Sequence, residues 1–387
     1  MLTNNPDAIV IGAGIVGACS ALSLTNAGLK VMIIDRGSVA SGTTGAGEGN
    51  ILVSDKDPGP ELELALKSRD LWFEMQDDVG DSFELEAKGG VVVARHDSSA
   101  LFALADHQRQ AGVNAEKVDS AQLHKLEPYL HPDISQGVFY SQDAQCQPML
   151  AAARIIQTVL ARGGVLISQA KVTGFEISQN QLKGVVTTRG TFHAPVVVNA
   201  AGTWAGEIAA LAGSEIPIAP RKGFILVTEP APQYIFHKVY DSDYVANVAS
   251  SDADLQTSTV VEGTRSGTIL IGASRERVGF DGSMNYEIVR KLAAQATSLF
   301  PVLKDVQLLR VYRGFRPYAP DHLPVIGEDS KISGLWHSAG HEGAGIGLAP
   351  GSAALLTDAI VGRKSFMSAE AFSPQRFSRV GFAGAEI

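Results

Sequence analysis

The hydrophobic pattern of the chain begins with an unbroken apolar run, Ala8-Ile9-Val10-Ile11, that ends on Gly12-Ala13-Gly14-Ile15-Val16-Gly17. An alanine-rich apolar segment follows and stops near Ala27-Gly28. Val31-Met32-Ile33-Ile34 then forms a second run, closed by Asp35. Short apolar runs bounded by turn residues predict buried strands, and the longer segment between them predicts a packed helix. Strand, glycine turn, helix, strand and acid, in that order, form the dinucleotide-binding fingerprint in its required setting. In such a unit Gly12 permits the turn, Gly14 lets the backbone approach a pyrophosphate, and Gly17 lets helix and strand pack closely. The helix N-terminus, with Ala13, Ile15 and Val16 in its first turn, offers N–H groups and a positive dipole end to phosphates. Asp35, about twenty residues past the turn, is placed to accept hydrogen bonds from a ribose diol. The plainer alternative is a glycine-rich strand–helix turn without a ligand.

Further along, residues 61–79 carry helical periodicity through Leu62, Ala65, Leu66, Leu71 and Trp72. Residues 89–94 predict a strand, and 99–111 and 120–126 predict helices, the second opened by Ser120 as N-cap. Pro148 starts a helix through Leu160, ended by Gly163-Gly164. Residues 165–167, 172–177 and 185–188 predict the strands of a small meander. Pro195-Val196-Val197-Val198 is a buried strand running into Asn199-Ala200-Ala201-Gly202-Thr203-Trp204-Ala205, another glycine turn and helix. From about 216 to 311 the pattern is β-rich, with one helix near 286–300. The end is again α/β, with a strand at 334–337, a glycine-rich stretch at 340–347 and a helix at 349–360. The pattern holds no internal repeat.

This layout predicts an α/β + β architecture. A Rossmann-like nucleotide-binding domain is expected from 1–80, 145–215 and 312–387, and a β-rich substrate domain from 81–144 and 216–311. Ligand sites commonly form where two such domains meet.

Composition narrows the function classes. A net charge of -9, with no lysine–arginine cluster, leaves no electrostatic footprint for nucleic acid. Two cysteines, Cys19 and Cys146, make neither a disulfide framework nor a zinc site. The apolar stretch 8–24 imitates a signal peptide, but no positive charge precedes it and its glycines sit where a phosphate turn needs them. No stretch reaches the unbroken length of a spanning helix, so a cytoplasmic protein without an integral membrane segment is expected.

The tract Ser41-Gly42-Thr43-Thr44-Gly45-Ala46-Gly47-Glu48-Gly49-Asn50 reads as a loop with tight backbone contacts. Its position behind a nucleotide turn points its N–H groups and Thr43 or Thr44 at the same ligand; the alternative is a flexible linker. His337 and His341 have metal-like spacing, but they flank Ser338-Ala339-Gly340 rather than sharing a helix face, and no metal is expected.

Four motifs in this order carry a resemblance: the N-terminal fingerprint, Asn199-Ala200-Ala201-Gly202-Thr203-Trp204-Ala205, Arg313-Gly314-Phe315-Arg316-Pro317-Tyr318-Ala319-Pro320-Asp321, and Gly340-His341-Glu342-Gly343-Ala344-Gly345-Ile346. Across nearly its whole length the chain resembles FAD-dependent amine oxidoreductases of the D-amino-acid oxidase, glycine oxidase and sarcosine oxidase group. The 42–50 tract and Gly272-Ala273-Ser274-Arg275-Glu276-Arg277-Val278-Gly279-Phe280-Asp281 look most like the FAD subunits of bacterial opine oxidases, with hydrogen cyanide synthase and hydroxyproline dehydrogenase subunits similar. The resemblance implies a Rossmann-like FAD-binding domain (GR2-type). Gly12 to Gly17 would hold the pyrophosphate, Asp35 the adenosine ribose and Val172 the adenine, with Arg36 also on the cofactor. Thr43 and Thr44 would sit by the phosphates, and Gly49, Asn50 and Ile51 by the isoalloxazine, with Ser41 a further cofactor-binding residue. Ala200, Gly202 and Trp204 belong to the second turn, and Gly340, His341, Gly343, Ala344, Gly345 and Ile346 would lie by the ribityl chain and pyrimidine edge.

In the similar oxidases the arginine of the Arg-Pro motif clamps the substrate carboxylate, which assigns that role to Arg316. The alternative for Arg316 is a structural pair with an acid such as Asp321, and Arg313 is expected to be structural. Asn50 and His341 are further catalytic candidates, and Tyr240 and Tyr244 could line a pocket or simply pack. Glycine-oxidase-like members carry a second basic residue where this chain has Gly343, which makes glycine a doubtful substrate. The cysteine and histidine positions used elsewhere for covalent attachment are missing, so non-covalent FAD is expected.

The implied reaction is oxidation of the C–N bond of an amino acid or N-substituted amino acid (opine-like, D-amino acid or proline-type), by hydride transfer to flavin N5 and hydrolysis of the imine. Similar subunits assemble with a second flavin or iron–sulfur subunit, in some cases with FMN between them. An NAD-dependent dehydrogenase and an electron-transfer subunit without a substrate of its own stand as alternatives.

Overall fold

The computed structural model describes residues 6–242 and 255–379. Its first layer is a six-stranded sheet in the order Val325–Glu328, Leu335–Ala339, Val196–Asn199, Ala8–Ile11, Val31–Ile34, Val165–Ile167. All neighbours in it run parallel except the first pair, which is antiparallel. The inner strands are continuous apolar runs because helices and the meander cover both faces, so alternate side chains have no water to face. Helices Ile15–Asn26, Pro148–Ala161 and Gly345–Ile360 pack together on one side, and Pro60–Val79 packs against the last of them.

Residues 165–167 correct the predicted meander. They pair in parallel with Met32, Ile33 and Ile34 as the edge of the six-stranded sheet. The meander is instead Val172–Ser178, Gln181–Thr187 and Gly190–His193. A three-residue apolar run carries no information about its partner, and the tertiary contact decides it. Helix Ser120–Leu126 is capped by Asp119 rather than Ser120, through a reciprocal capping box with Gln122.

The second layer is an eight-stranded sheet in the order Leu308–Tyr318, Ala219–Thr228, Ile269–Arg275, Gln256–Gly263, Lys238–Asp241, Gly90–Ala94, Gln136–Tyr140, Ala115–Val118. Helix Tyr286–Leu299 packs on it through Ile288, Leu292, Ala296 and Leu299. Strand Leu308–Tyr318 pairs along its length with Ala219–Thr228, so the boundary expected at 312 falls inside a strand of this sheet. Among the described residues no helix is long and apolar enough to cross a membrane.

Candidate active site

The first strand ends at Ile11, and Gly12 turns the chain with φ 116°. A Cβ on Gly12 would collide with Ala200 O, and one on Gly17 with Gly12 O, so strand, turn and helix touch backbone to backbone. Gly14 caps helix Ile15–Asn26 without a side-chain hydrogen bond. Thr44 Oγ1 accepts from Ile15 N at 3.0 Å, which ties the 43–46 turn of 3₁₀ helix to the start of that helix. Asp35 braces the turn, with Oδ2 accepting from Ala13 N at 2.6 Å and Oδ1 from Gly37 N at 2.7 Å. Each carboxylate oxygen has two lone pairs, so acceptor capacity remains for a ligand.

These residues open into a cavity of about 830 Å³ between the two large sheets, the size range of small-molecule and cofactor sites. The fingerprint contributes Gly12, Gly14, Ile15 and Val16, followed by Asp35, Arg36 and Ser41. Thr43, Thr44 and Asn50 come from the small-residue tract, Val172 from the meander, and Ala200, Gly202 and Trp204 from the second glycine turn. His341, Gly343, Gly345 and Ile346 come from the late motif. The eight-stranded sheet supplies Gly223, Ile225, Gly314 and Arg316. Three distant chain segments therefore meet on one space, as the motifs implied.

Several side chains at this space are already committed. Thr43 Oγ1 and Thr203 Oγ1 both donate to Phe315 O at 2.7 Å, fixing the strand that carries Arg316. The Arg36 guanidinium lies 3.8 Å above the Trp204 ring, and Phe280 stacks on that ring at 5.5 Å. Arg316 Nη1 donates to Ser274 O at 2.8 Å and lies over Gly223, where a Cβ would overlap it. A Cβ on Gly343 would come within 3.7 Å of Arg316 Nε, so the missing side chain there leaves room beside the guanidinium. Asp321 pairs with Arg376. His341 is buried and shares a 3.0 Å hydrogen bond with Ser352 Oγ. Burial pushes its pKa down to about 4, so it is neutral at pH 7.

Other expected site residues support the cavity without lining it. Ala13 and Gly17 hold the turn. Gly49 packs on the Cys146 backbone, and Ile51 lies in the core. Gly340, at φ 76°, faces Ile218, and Ala344 sits within the 3₁₀ turn Glu342–Ala344. Tyr240 is a correction: it is fully buried inside the eight-stranded sheet, with its hydroxyl on Ser54 Oγ rather than on the cavity. Strand Lys238–Asp241 is interior to the sheet, so its tyrosine packs. Tyr244 lies outside the described residues.

Two features escaped the sequence reading. Glu48 lines the cavity and is nine-tenths buried, beside Lys238 and Glu262. A lone acid inside a run of glycine, alanine and threonine was its only local signal. Arg221 is fully buried and pairs with Glu342, whose other oxygen bonds His322 at 2.9 Å. These partners are 121 and 20 residues apart in the chain, and nothing local announces them.

A mostly parallel sheet whose first strand ends on a glycine turn, with a cavity lined by both that turn and a guanidinium on a second sheet, defines a dinucleotide-binding protein. The chain belongs to the DAO family of FAD-dependent oxidoreductases, whose family model matches residues 7–359. Glycine oxidase of Pseudomonas aeruginosa is 29% identical over 95% of this chain and 98% of its own length. Hydrogen cyanide synthase subunit HcnC of the same organism is 27% identical over 92% of the chain and 90% of its own. Among solved structures, L-proline dehydrogenase from P. horikoshii superposes with a TM-score of 0.89 at 25% identity, covering 98% of this chain and 99% of that one. The residues fit FAD: the glycine turn at 12–14 presents bare backbone to the cavity, and the N-cap residue Gly14 spends no side chain on the helix's first N–H groups. Asp35 and Val172 stand on the wall of the same cavity.

Proposed function

We propose that the chain oxidises the C–N bond of an amino acid or N-substituted amino acid whose carboxylate is held by Arg316. The observation that carries this reading is the Arg316 guanidinium on the wall of the cavity that begins at the Gly12–Gly17 turn. Bound FAD supplies a ring that accepts two electrons as a hydride. The turn and the start of helix Ile15–Asn26 would hold its pyrophosphate, with Asp35 at a ribose and Val172 beside the adenine. Thr44, Asn50 and the 341–346 turn would surround the remainder.

Arg316 is braced on Ser274 O, so its fork presents fixed N–H donors rather than a mobile charge. A carboxylate bound there in two-point fashion has its Cα placed and its entropy already removed, which is where positioning lowers the barrier. Ile225 and Ile346 add apolar surface to the wall of the same cavity. His341, neutral and bonded to Ser352, holds the late turn in place without adding charge.

Opine-like, proline-type and D-amino acids are the substrate classes proposed. The bare position 343 speaks against glycine itself, since it gives the site room beside Arg316 for a larger or N-substituted substrate. Assembly with a second flavin or iron–sulfur subunit, FMN at that interface and a cytoplasmic location belong to the same proposal. In their support, one matched relative is by name a subunit and no described helix crosses a membrane.

The test is an anaerobic screen of opines, D-amino acids, prolines and sarcosine for flavin bleaching, followed by Arg316→Gln. Losing two charge-assisted hydrogen bonds should lower kcat/KM by about 10²–10³-fold. Unchanged kcat/KM would remove the clamp, and no bleaching by any amine would leave an electron-transfer subunit as the better reading.

A further inference from the structure

We propose that Glu48, held in place by Asn50 and Lys238, receives the amine N–H of the substrate whose carboxylate Arg316 binds; this rests on the function proposed above. Glu48 and Asn50 both line the cavity. Asn50 Nδ2 donates to Glu48 Oε2 at 2.9 Å. A carboxylate can only accept, so that bond fixes the amide orientation and makes Asn50 Oδ1 an acceptor as well. Glu48 Oε1 and Asn50 Oδ1 are both buried and have no hydrogen-bond partner among the described residues. Two neighbouring acceptors on residues of the cavity wall lack a donor, each costly to leave unmet, and a group that brings N–H would meet them.

The surroundings keep that place negative and rigid. Lys238 Nζ lies 2.8 Å from Glu262 Oε2 and 3.4 Å from Glu48 Oε2, so one ammonium serves two carboxylates. Lys238 and Glu262 are both at least 98% buried. The Tyr312 hydroxyl donates to Gly47 O at 3.3 Å rather than to Glu48.

The position suits an α-amino acid. Arg316 is anchored on Ser274 O, while Glu48 Oε1 lies over Gly272, where a Cβ would come within 2.5 Å of it. Cation and carboxylate thus stand two residues apart along one strand, Ile269–Arg275, with Gly223 and Ile225 of the neighbouring strand beside them. An amino acid has its nitrogen one carbon away from its carboxylate, so a single substrate can reach both. Glycine at 272 is what admits the Glu48 carboxylate to this spot.

The FAD-loaded enzyme tests this with pairs of carboxylates that differ only in the bridging atom. Sarcosine, L-proline and iminodiacetate carry N–H, and methoxyacetate, tetrahydrofuran-2-carboxylate and diglycolate carry an ether oxygen in its place. Dissociation constants come from rapid-mixing flavin reduction for the amines and from spectral perturbation for the ethers. Wild type should bind the amine of the pair that bleaches the flavin at least tenfold more tightly than its ether. Glu48→Gln, whose amide can donate to an ether oxygen, should level or reverse that preference while Arg316→Gln weakens both members of the pair. Equal affinity for amine and ether in wild type overturns the assignment without any variant, so a Glu48→Gln protein that does not fold leaves the test intact. A variant that retains the amine preference overturns it too. If no amine bleaches the flavin, the function reading falls and takes this one with it; if amines bleach it but show no preference over ethers, only Glu48 is lost.

Discussion

His341 shows how burial sets a protonation state where the local sequence cannot. The residue is 3% exposed and its ring shares a hydrogen bond with the uncharged Ser352 Oγ, so charging it would bury an ion against a neutral partner. Its folded pKa of about 4 lies below the ordinary 6.5. Between those values the unfolded chain binds a proton that the folded chain does not, so stability rises with pH there. The contribution is complete above about pH 6.5 and is lost as pH falls towards 4. His341→Gln keeps a polar partner for Ser352 and should flatten that part of the stability curve by on the order of 2–3 kcal/mol. Urea unfolding at pH 4.5 and 7 checks it: an unchanged slope in the variant would mean the ring charges freely. Asp143 runs the other way. Burial lifts it to about 6, against the pull of Ser54 O–H and the Val53 and Ser54 N–H groups, so its contribution falls as pH rises through the same range. The comparison of variant with wild type separates the two.

At the scale of elements, helix Gly345–Ile360 holds Pro350 in its interior. Proline has no N–H, so the Ile346 carbonyl, four residues earlier, loses its helical donor. Trp72 Nε1 replaces it, donating to Ile346 O at 3.0 Å. One turn away on helix Pro60–Val79, Ser68 Oγ donates to Gly347 O at 2.6 Å and accepts from Gly351 N at 2.9 Å, standing inside the helical ladder. Gly351 allows that approach, since a Cβ there would lie 2.8 Å from Leu64 and 2.9 Å from Ser68. Helix Pro60–Val79 thus repairs the break and fixes the N-terminal turn of the later helix, which carries Gly345 and Ile346 to the cavity. Trp72→Phe keeps most of the ring packing but leaves the carbonyl unmet, and should cost about 1–3 kcal/mol. A loss below a few tenths of a kcal/mol in chemical denaturation would show that the carbonyl finds another partner.

Across the whole molecule, the cavity lies where strands from three chain regions and a second sheet meet, so cofactor binding is tied to tertiary structure. FAD that binds only the folded chain should raise its stability by about 2.7 kcal/mol at a hundredfold excess over Kd. Thermal unfolding at increasing FAD concentration should therefore show a rising midpoint. Gly14→Val, whose Cβ would come within 3.0 Å of Thr44 Oγ1 and whose methyls crowd the turn, should abolish the rise. A midpoint that ignores FAD in wild type would contradict the fit of the cradle.

Much of this was legible in the chain because short-range rules dictate it. Apolar runs of four residues, glycines at 12, 14 and 17 and an acid at 35 describe a strand–turn–helix–strand unit whose backbone conformation is set by neighbouring residues, although its helix packs on the distant Pro148–Ala161 and Gly345–Ile360. Helix Pro60–Val79 followed from its periodicity, and the order of four motifs was enough to place Arg316 on the cavity. Tertiary structure decided the rest. It placed strand 165–167 beside Val31–Ile34, buried Tyr240, set Gly343 against Arg316, and joined Glu48 to Lys238 across 190 residues. The physical reason is one of range. Backbone conformation and periodicity are written in neighbouring residues, whereas a buried charge exists only once a distant partner has removed it from water.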